Sequence, residues 1–168
     1  ARIEGGKLEL SEDIVEPNAV IEQVFRMLKS SASKKQIRFQ NLSQSELPKL
    51  RCDEIRLRQV LINLVGNAVK FSPEGSAIEV FAAFEGDALK FVVRDHGAGI
   101  PADSLNRAFD RFEQFSGDPR IRAQGSGLGL YVSRMLMEVH GGRIFIESEL
   151  GKGTTVTVAF PKERVVQS

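Results

Sequence analysis

Apolar residues recur at helical spacing early in the chain: Val20, Ile21, Val24, Phe25 and Leu28 fall on one face. Pro17 stands where a first helical turn accepts proline, and the Ser/Lys cluster at 30–35 closes the pattern. Ile37 to Leu42 alternates like a short strand, Pro48 marks a loop, and Leu50 belongs to a second short strand. A longer helix is predicted over 54–70, with Asp53 as its N-cap. Its apolar positions are Ile55, Leu57, Val60, Leu61, Leu64, Val65, Ala68 and Val69, and Ser72-Pro73-Glu74-Gly75 breaks it. Strands over 77–84 and 88–94, joined at Glu85-Gly86-Asp87, read as a hairpin. A glycine loop from Gly97 to Pro101 leads to a short helix at 102–108. Residues 113–126 are polar and aperiodic, and a loop of that length inside a domain is functional or mobile. A helix over 127–139 stops at Gly141-Gly142, and strands over 143–148 and 154–160 meet at Leu150-Gly151-Lys152-Gly153. This succession predicts an α/β (α+β) two-layer sandwich: a mixed, mostly antiparallel sheet covered on one face by helices.

Composition narrows the function classes. The 168 residues suffice for one core without disulfides or a structural metal. Lys+Arg (23) nearly balance Asp+Glu (22), so no strong basic field exists to hold nucleic acid or a membrane surface. The single cysteine, Cys52, excludes an internal disulfide and multi-cysteine zinc sites, and suits a reducing, cytoplasmic setting. No apolar run approaches the ~20 residues of a membrane span. The chain starts without Met, and residues 1–14 read as the end of an upstream element plus a linker, leaving a domain over 15–162 and a tail over 163–168.

Three clusters carry candidate chemistry. Asn63, Asn67 and Lys70 share one side of the long helix. Amide oxygens suit Mg²⁺ and an ammonium suits phosphate, while a solvated polar face is the plainer alternative. In DHGAGIP (95–101), Asp95 ends a strand and Gly97 and Gly99 permit a tight backbone path beside a ligand. A carboxylate there can accept from an amino group; an ordinary Asp/Gly turn is the other reading. GSGLGL (125–130) runs straight into a helix, where exposed N–H groups suit an anion and glycines also suit a hinge. It is neither the dinucleotide fingerprint nor a Walker A loop. His96 and His140 lack sequence-local partners for a metal or a triad, and His140 reads as a helix C-terminal residue favoured by the dipole.

These blocks occur in an order that resembles the catalytic domain of bacterial sensor histidine kinases. RQVLINLVGNAVKFS (58–72) resembles their asparagine box, DHGAGIP their first glycine box, FDRFEQF (109–115) their phenylalanine box, and GSGLGL their second glycine box. HGGRIFIESELGKGTTVTVAFP (140–161) is similar to the end of that domain. The resemblance covers about residues 15–162 and implies the GHKL ATP-binding fold with ATP and Mg²⁺ as ligands. It implies that Asn67 holds the metal, that Lys70 touches phosphates, that Phe71 packs near adenine and that Asp95 binds its amino group. Gly97, Gly99 and Ile100 would shape that pocket, Gly125, Ser126, Gly127, Leu128, Gly129 and Leu130 would wrap the phosphates, and Asn63, Phe112 and Thr154 would complete the site.

The same resemblance places Asn63 where the ATP-hydrolysing relatives carry a water-orienting Glu, which favours transfer over hydrolysis. The γ-phosphate arginine that many sensor kinases carry is matched by Gln114, so Arg111, Arg120 or Arg122 would substitute, Arg111 being the one assigned. The implied partners are a histidine-containing dimerisation domain, the end of whose second helix, followed by the linker, ARIEGGKLEL resembles, and a response regulator or phosphotransfer protein. A degenerate kinase domain that senses nucleotide or docks a protein is the alternative.

Overall fold

Helical and strand periodicities sort the chain into two layers. Residues 3–4, 7–105, 107–109 and 129–167 are described in a computed structural model. The elements are β1 (Ile3–Glu4), β2 (Lys7–Leu8), β3 (Asp13–Val15), α1 (Pro17–Lys34), β4 (Arg38–Asn41), β5 (Lys49–Cys52) and α2 (Glu54–Phe71). There follow β6 (Ala77–Glu85), β7 (Ala88–Arg94), α3 (Ala102–Leu105), α4 (Gly129–Val139), β8 (Arg143–Glu149), β9 (Gly153–Pro161) and, after a 3₁₀ turn at Lys162–Arg164, β10 (Val165–Val166).

The main sheet has five strands in the order β4-β6-β7-β9-β8. Two hairpins, β6–β7 and β8–β9, make it antiparallel, and β4–β6 is the parallel pair among the described strands. A parallel pair needs a crossover, and α2 lies within it. α2 packs between α1 and α4 on one face of the sheet. Its buried side, Leu57, Leu61, Leu64, Val65 and Ala68, meets the inward residues Ile78, Val80, Leu89, Phe91, Val158 and Phe160 in one core. Phe91 and Phe160 meet edge to face, with centroids 6.0 Å apart. Asp53 caps α2 as predicted, its Oδ1 accepting from Arg56 N at 3.2 Å.

Both ends of the chain differ from the sequence expectation. Ile3–Glu4 pairs antiparallel with Lys7–Leu8, so this stretch forms a strand pair rather than the end of a helix. The supposed tail over 163–168 contributes β10, and β10 and β3 flank β5 in a second, three-stranded sheet. Leu50 pairs with Val15 on one side and Val165 on the other and is fully buried. Hydrophobic cover for Leu50 is what draws these short β-branched segments into strands. The helix predicted over 102–108 is shorter, ending at Leu105.

His140 also departs from expectation. It follows α4 but is 2 % exposed. Its Nδ1 donates to Leu136 O at 2.7 Å, and its Nε2 accepts from Asp53 N at 3.2 Å. A second ring proton would point at that N–H, so burial overrides the helix dipole, and the pKa is lowered chiefly by desolvation. The resulting stability is complete above the unfolded value of about 6.5 and is lost as pH falls from there through the lowered folded value. Melting temperatures at pH 7.5 and 5.5 should therefore diverge more for the unaltered chain than for His140→Gln. Cys52 is buried beside this cluster, its thiol pushed up to about 12 by desolvation, which makes it inert.

Candidate functional site

The last residue of β7 hands the chain to Asp95, whose N–H donates to Thr154 O at 2.9 Å. Asp95 Oδ1 accepts from Gly97 N at 2.9 Å and Thr154 N at 3.2 Å. Oδ2 has no hydrogen-bond partner among the described residues. Burial raises the carboxyl pKa, opposed by those two backbone N–H groups and by His96. A half-desolvated carboxylate with one oxygen tied down and the other unengaged is a built acceptor.

Asp95 lines a cavity of about 240 Å³ between α2 and the sheet. Leu64, Ala68, Phe71, Val93, Ile146 and Val156 make its walls apolar, and Ala98, Gly99, Ile100 and Leu130 add to them. Side-chain polar groups are confined to Asn67, Asp95 and Thr154. An apolar slot with a few convergent polar groups suits a flat heteroaromatic ligand.

Two glycines let three segments close around this slot. A Cβ at Gly97 would overlap the Phe71 carbonyl oxygen at the end of α2. Gly99 has φ +79°, and a Cβ there would overlap the Glu149 carbonyl oxygen in β8. Gly151 N donates to Ala98 O at 2.8 Å, tying the glycine loop to the β8–β9 turn.

The end of α2 is cationic. Lys70 Nζ lies 5.2 Å from the Phe71 ring centroid and makes no hydrogen bond or ion pair among the described residues. Desolvation lowers its pKa. An unpaired ammonium next to a residue that lines the cavity calls for an anion. Lys35 Nζ donates to Val69 O (2.9 Å) and Lys70 O (3.1 Å), satisfying the last carbonyls of the helix from which Lys70 and Phe71 project. Sequence reasoning missed Lys35, because the contact joins residues 35 positions apart.

Of the residues singled out in the sequence, Asn67, Phe71, Asp95, Gly99, Ile100, Leu130 and Thr154 line one cavity. Lys70 and Gly97 stand beside it, outside the lining. Asn63 also stands outside it, its Nδ2 donating to Gly129 O and Ser133 Oγ, both at 3.5 Å. Gly129 faces Asn67, whose Nδ2 lies 3.5 Å from where a Cβ would sit. Arg111, Phe112, Gly125, Ser126, Gly127 and Leu128, with Gln114, Arg120 and Arg122, lie outside the described residues. His96 is outside the cavity lining, on the surface 3.2 Å from Glu79, and acts on Asp95 only through its charge. Sequence reasoning also missed Ser148, whose Oγ lies 2.8 Å from Thr154 Oγ1.

Comparison with known proteins gives concordant matches. Residues 52–164 match the family described as histidine kinase-, DNA gyrase B-, and HSP90-like ATPase. An uncharacterized sensor-like histidine kinase of Rhizobium meliloti is 37% identical over 166 residues, covering 97% of this chain and 31% of the relative. Full-length ShkA in complex with AMPPNP superposes with a TM-score of 0.82 at 33% identity, over 96% of this chain and 32% of that one. ThkA in complex with the response regulator protein TrrA gives 0.74 at 25% identity, over 90% of this chain and 42% of that one. The chain spans about a third or less of the length of the curated relatives it matches.

Proposed function

Because this chain belongs to the histidine kinase-, DNA gyrase B-, and HSP90-like ATPase family, we propose that the cavity at Asp95 binds ATP and that the chain is the catalytic domain of a sensor histidine kinase. The observation that carries the reading is the unengaged Oδ2 of Asp95 at the polar end of an apolar slot. Adenine matches it, offering a flat ring to Phe71, Ile100 and Leu130 and an amino group to the carboxylate. Lys70, unpaired at the end of α2, is the phosphate contact, and Gly129 at the start of α4 stands beside Asn67.

Asn67 is the proposed magnesium ligand. Among the described residues no cluster of His, Cys, Asp and Glu could hold a metal ion. A single amide oxygen fits Mg²⁺, which binds one or two protein groups beside substrate phosphates and waters. When bound, Mg²⁺ neutralises charge on the phosphates. The chain's own residues hold and orient ATP: Asp95 anchors the base, Asn67 and Lys70 fix the phosphates, and the apolar walls exclude water. The γ-phosphate then passes to a ring nitrogen of a histidine on a separate dimerisation domain: a P–N bond forms, the bond to the β-phosphate oxygen breaks, and ADP leaves. A neutral imidazole needs no strong base, and Asn63 supplies none, which supports transfer over hydrolysis. Presence of both Asn67 and Asp95 in one cavity weighs against a degenerate domain that docks a protein without nucleotide, and phosphotransfer distinguishes the kinase from a nucleotide sensor. A response regulator is the proposed final acceptor, by analogy with the ThkA–TrrA complex. No helix among the described residues is long and apolar enough to cross a membrane; a cytoplasmic location is part of the proposal.

Calorimetric titration with AMPPNP tests the reading, with and without Mg²⁺. Binding strengthened by Mg²⁺ is expected, and no binding at millimolar nucleotide would overturn it. Asn67→Ala should abolish the magnesium enhancement, a loss of about tenfold in affinity at saturating Mg²⁺, while leaving metal-free binding nearly unchanged. A separately expressed acceptor domain, added with labelled ATP, tests phosphotransfer.

A further inference from the structure

Ser148 lies behind the cavity, across the β8–β9 ladder from Thr154. Its Oγ has three neighbours. Ile100 N donates to it at 2.7 Å, it donates to Gly153 O at 3.0 Å, and Thr154 Oγ1 lies 2.8 Å away. A serine hydroxyl carries one proton and two lone pairs. The carbonyl of Gly153 can only accept, so it takes the serine proton, and Ile100 N–H takes one lone pair. The contact with Thr154 is then satisfied in one way: Thr154 Oγ1–H donates to the remaining lone pair of Ser148. That uses the only proton of the Thr154 hydroxyl. What Thr154 has left for a ligand is lone pairs.

The polar end of the cavity is thereby fixed in character. Asp95 Oδ2 accepts, and Thr154 Oγ1 accepts; the hydroxyl, which elsewhere could turn to donate, is locked. We propose that Ser148 is a positioning residue for nucleobase specificity: by holding the Thr154 hydroxyl as an acceptor, it makes the pocket select a 6-aminopurine and reject a 6-oxopurine. The inference rests on the ATP reading of this cavity. A 6-amino group donates to both acceptors, directly or through a water. A 6-oxo group sets a third acceptor against two others where adenine offers two protons, and the N1–H that accompanies it can serve at most one of the two. Sites built for one hydrogen-bond polarity reject the opposite one because buried groups are left unpaired.

The test is titration of this chain with ATP and with ITP, which carries a 6-oxo group and an N1–H where ATP has a 6-amino group and a bare N1. The unaltered chain should favour ATP strongly. Ser148→Ala frees the Thr154 proton to turn toward a 6-oxo oxygen, so the ATP/ITP affinity ratio should fall by about threefold to tenfold. Ser148→Thr, which keeps the hydroxyl, should restore the ratio. In a Thr154→Val background Ser148→Ala should leave the ratio unmoved, because no hydroxyl remains to be oriented. Equal weakening of both nucleotides by Ser148→Ala would overturn the proposal and reduce Ser148 to a support for Ile100. Absence of ATP binding by the unaltered chain would overturn the nucleotide reading itself and this assignment with it, an outcome distinct from an unchanged ratio.

Discussion

Asp95→Asn is expected to lower affinity for ATP by at least about a hundredfold while leaving the empty fold as stable as before, or more so. The two effects have separate causes. Asp95 Oδ1 already holds Gly97 N and Thr154 N, and an asparagine oxygen can keep both. Its other atom becomes an NH₂, which donates where adenine also donates. A hydrogen bond to a charged group is worth about 1.5–3 kcal/mol, and leaving buried donors facing each other adds a desolvation cost of about 1–3 kcal/mol. For the empty protein the sign reverses. The folded carboxyl titrates above its unfolded value, so its share of stability is present below that value and is lost as pH rises through the raised one. At neutral pH the buried charge is a burden that asparagine removes. Calorimetry with AMPPNP and melting at pH 7 check both halves; weak binding together with a lower melting temperature would refute the separation.

Gly99→Ala should cost about 2–4 kcal/mol of stability and abolish nucleotide binding. Gly99 and Gly75 have nearly the same positive φ, +79° and +80°. At Gly75 a Cβ would meet nothing within 4 Å, whereas at Gly99 it would overlap the Glu149 carbonyl carbon and oxygen. Gly75→Ala therefore isolates the price of the left-handed conformation, about 1 kcal/mol. The excess at Gly99 measures the packing of the glycine loop on β8. Relief of that overlap requires the loop to move, and Ile100, whose N–H is held by Ser148 Oγ, moves with it. Urea denaturation of the two variants should separate them clearly; equal losses would show that the loop yields without strain.

Much of the fold was legible where burial follows a local period. Val20, Ile21 and Val24 announce α1, and the eight apolar positions of α2 announce a helix that the structure buries on that side, Ile55 excepted, which stays exposed. Glycine punctuation located both hairpins. What escaped notice depends on neighbours distant in sequence. The parallel pairing of β4 with β6 follows from the crossover, not from either strand. β3 and β10 are too short to show a period and exist because Leu50 needs cover on both sides. His140 was read from its place at a helix end, but desolvation decides its charge. Within the site, the glycines, Asn67 and Asp95 stood out as chemistry-bearing residues in unusual company. Ser148 did not, because its meaning comes from register: only the ladder sets it opposite Thr154.

The small sheet has a mechanical consequence. β3 and β10 are both antiparallel to β5 and therefore run in the same direction, meeting it at successive positions: Asp13 opposite Cys52, Val15 and Val165 opposite Leu50, Val166 opposite Lys49. Tension applied to the backbone before Asp13 and after Val166 pulls the two strands in opposite senses along β5. Ladder bonds lie across the strands, so such a pull makes them slide and loads them together instead of peeling them one by one. Arg164 adds a cross-tie, bonding Glu12, the Arg51 carbonyl and the His140 carbonyl at once. Force entering by one strand and leaving by the other would be carried as shear through this patch at the start of α2, sparing the cavity at Asp95, which the later part of α2 lines, from distortion until the patch itself gives way.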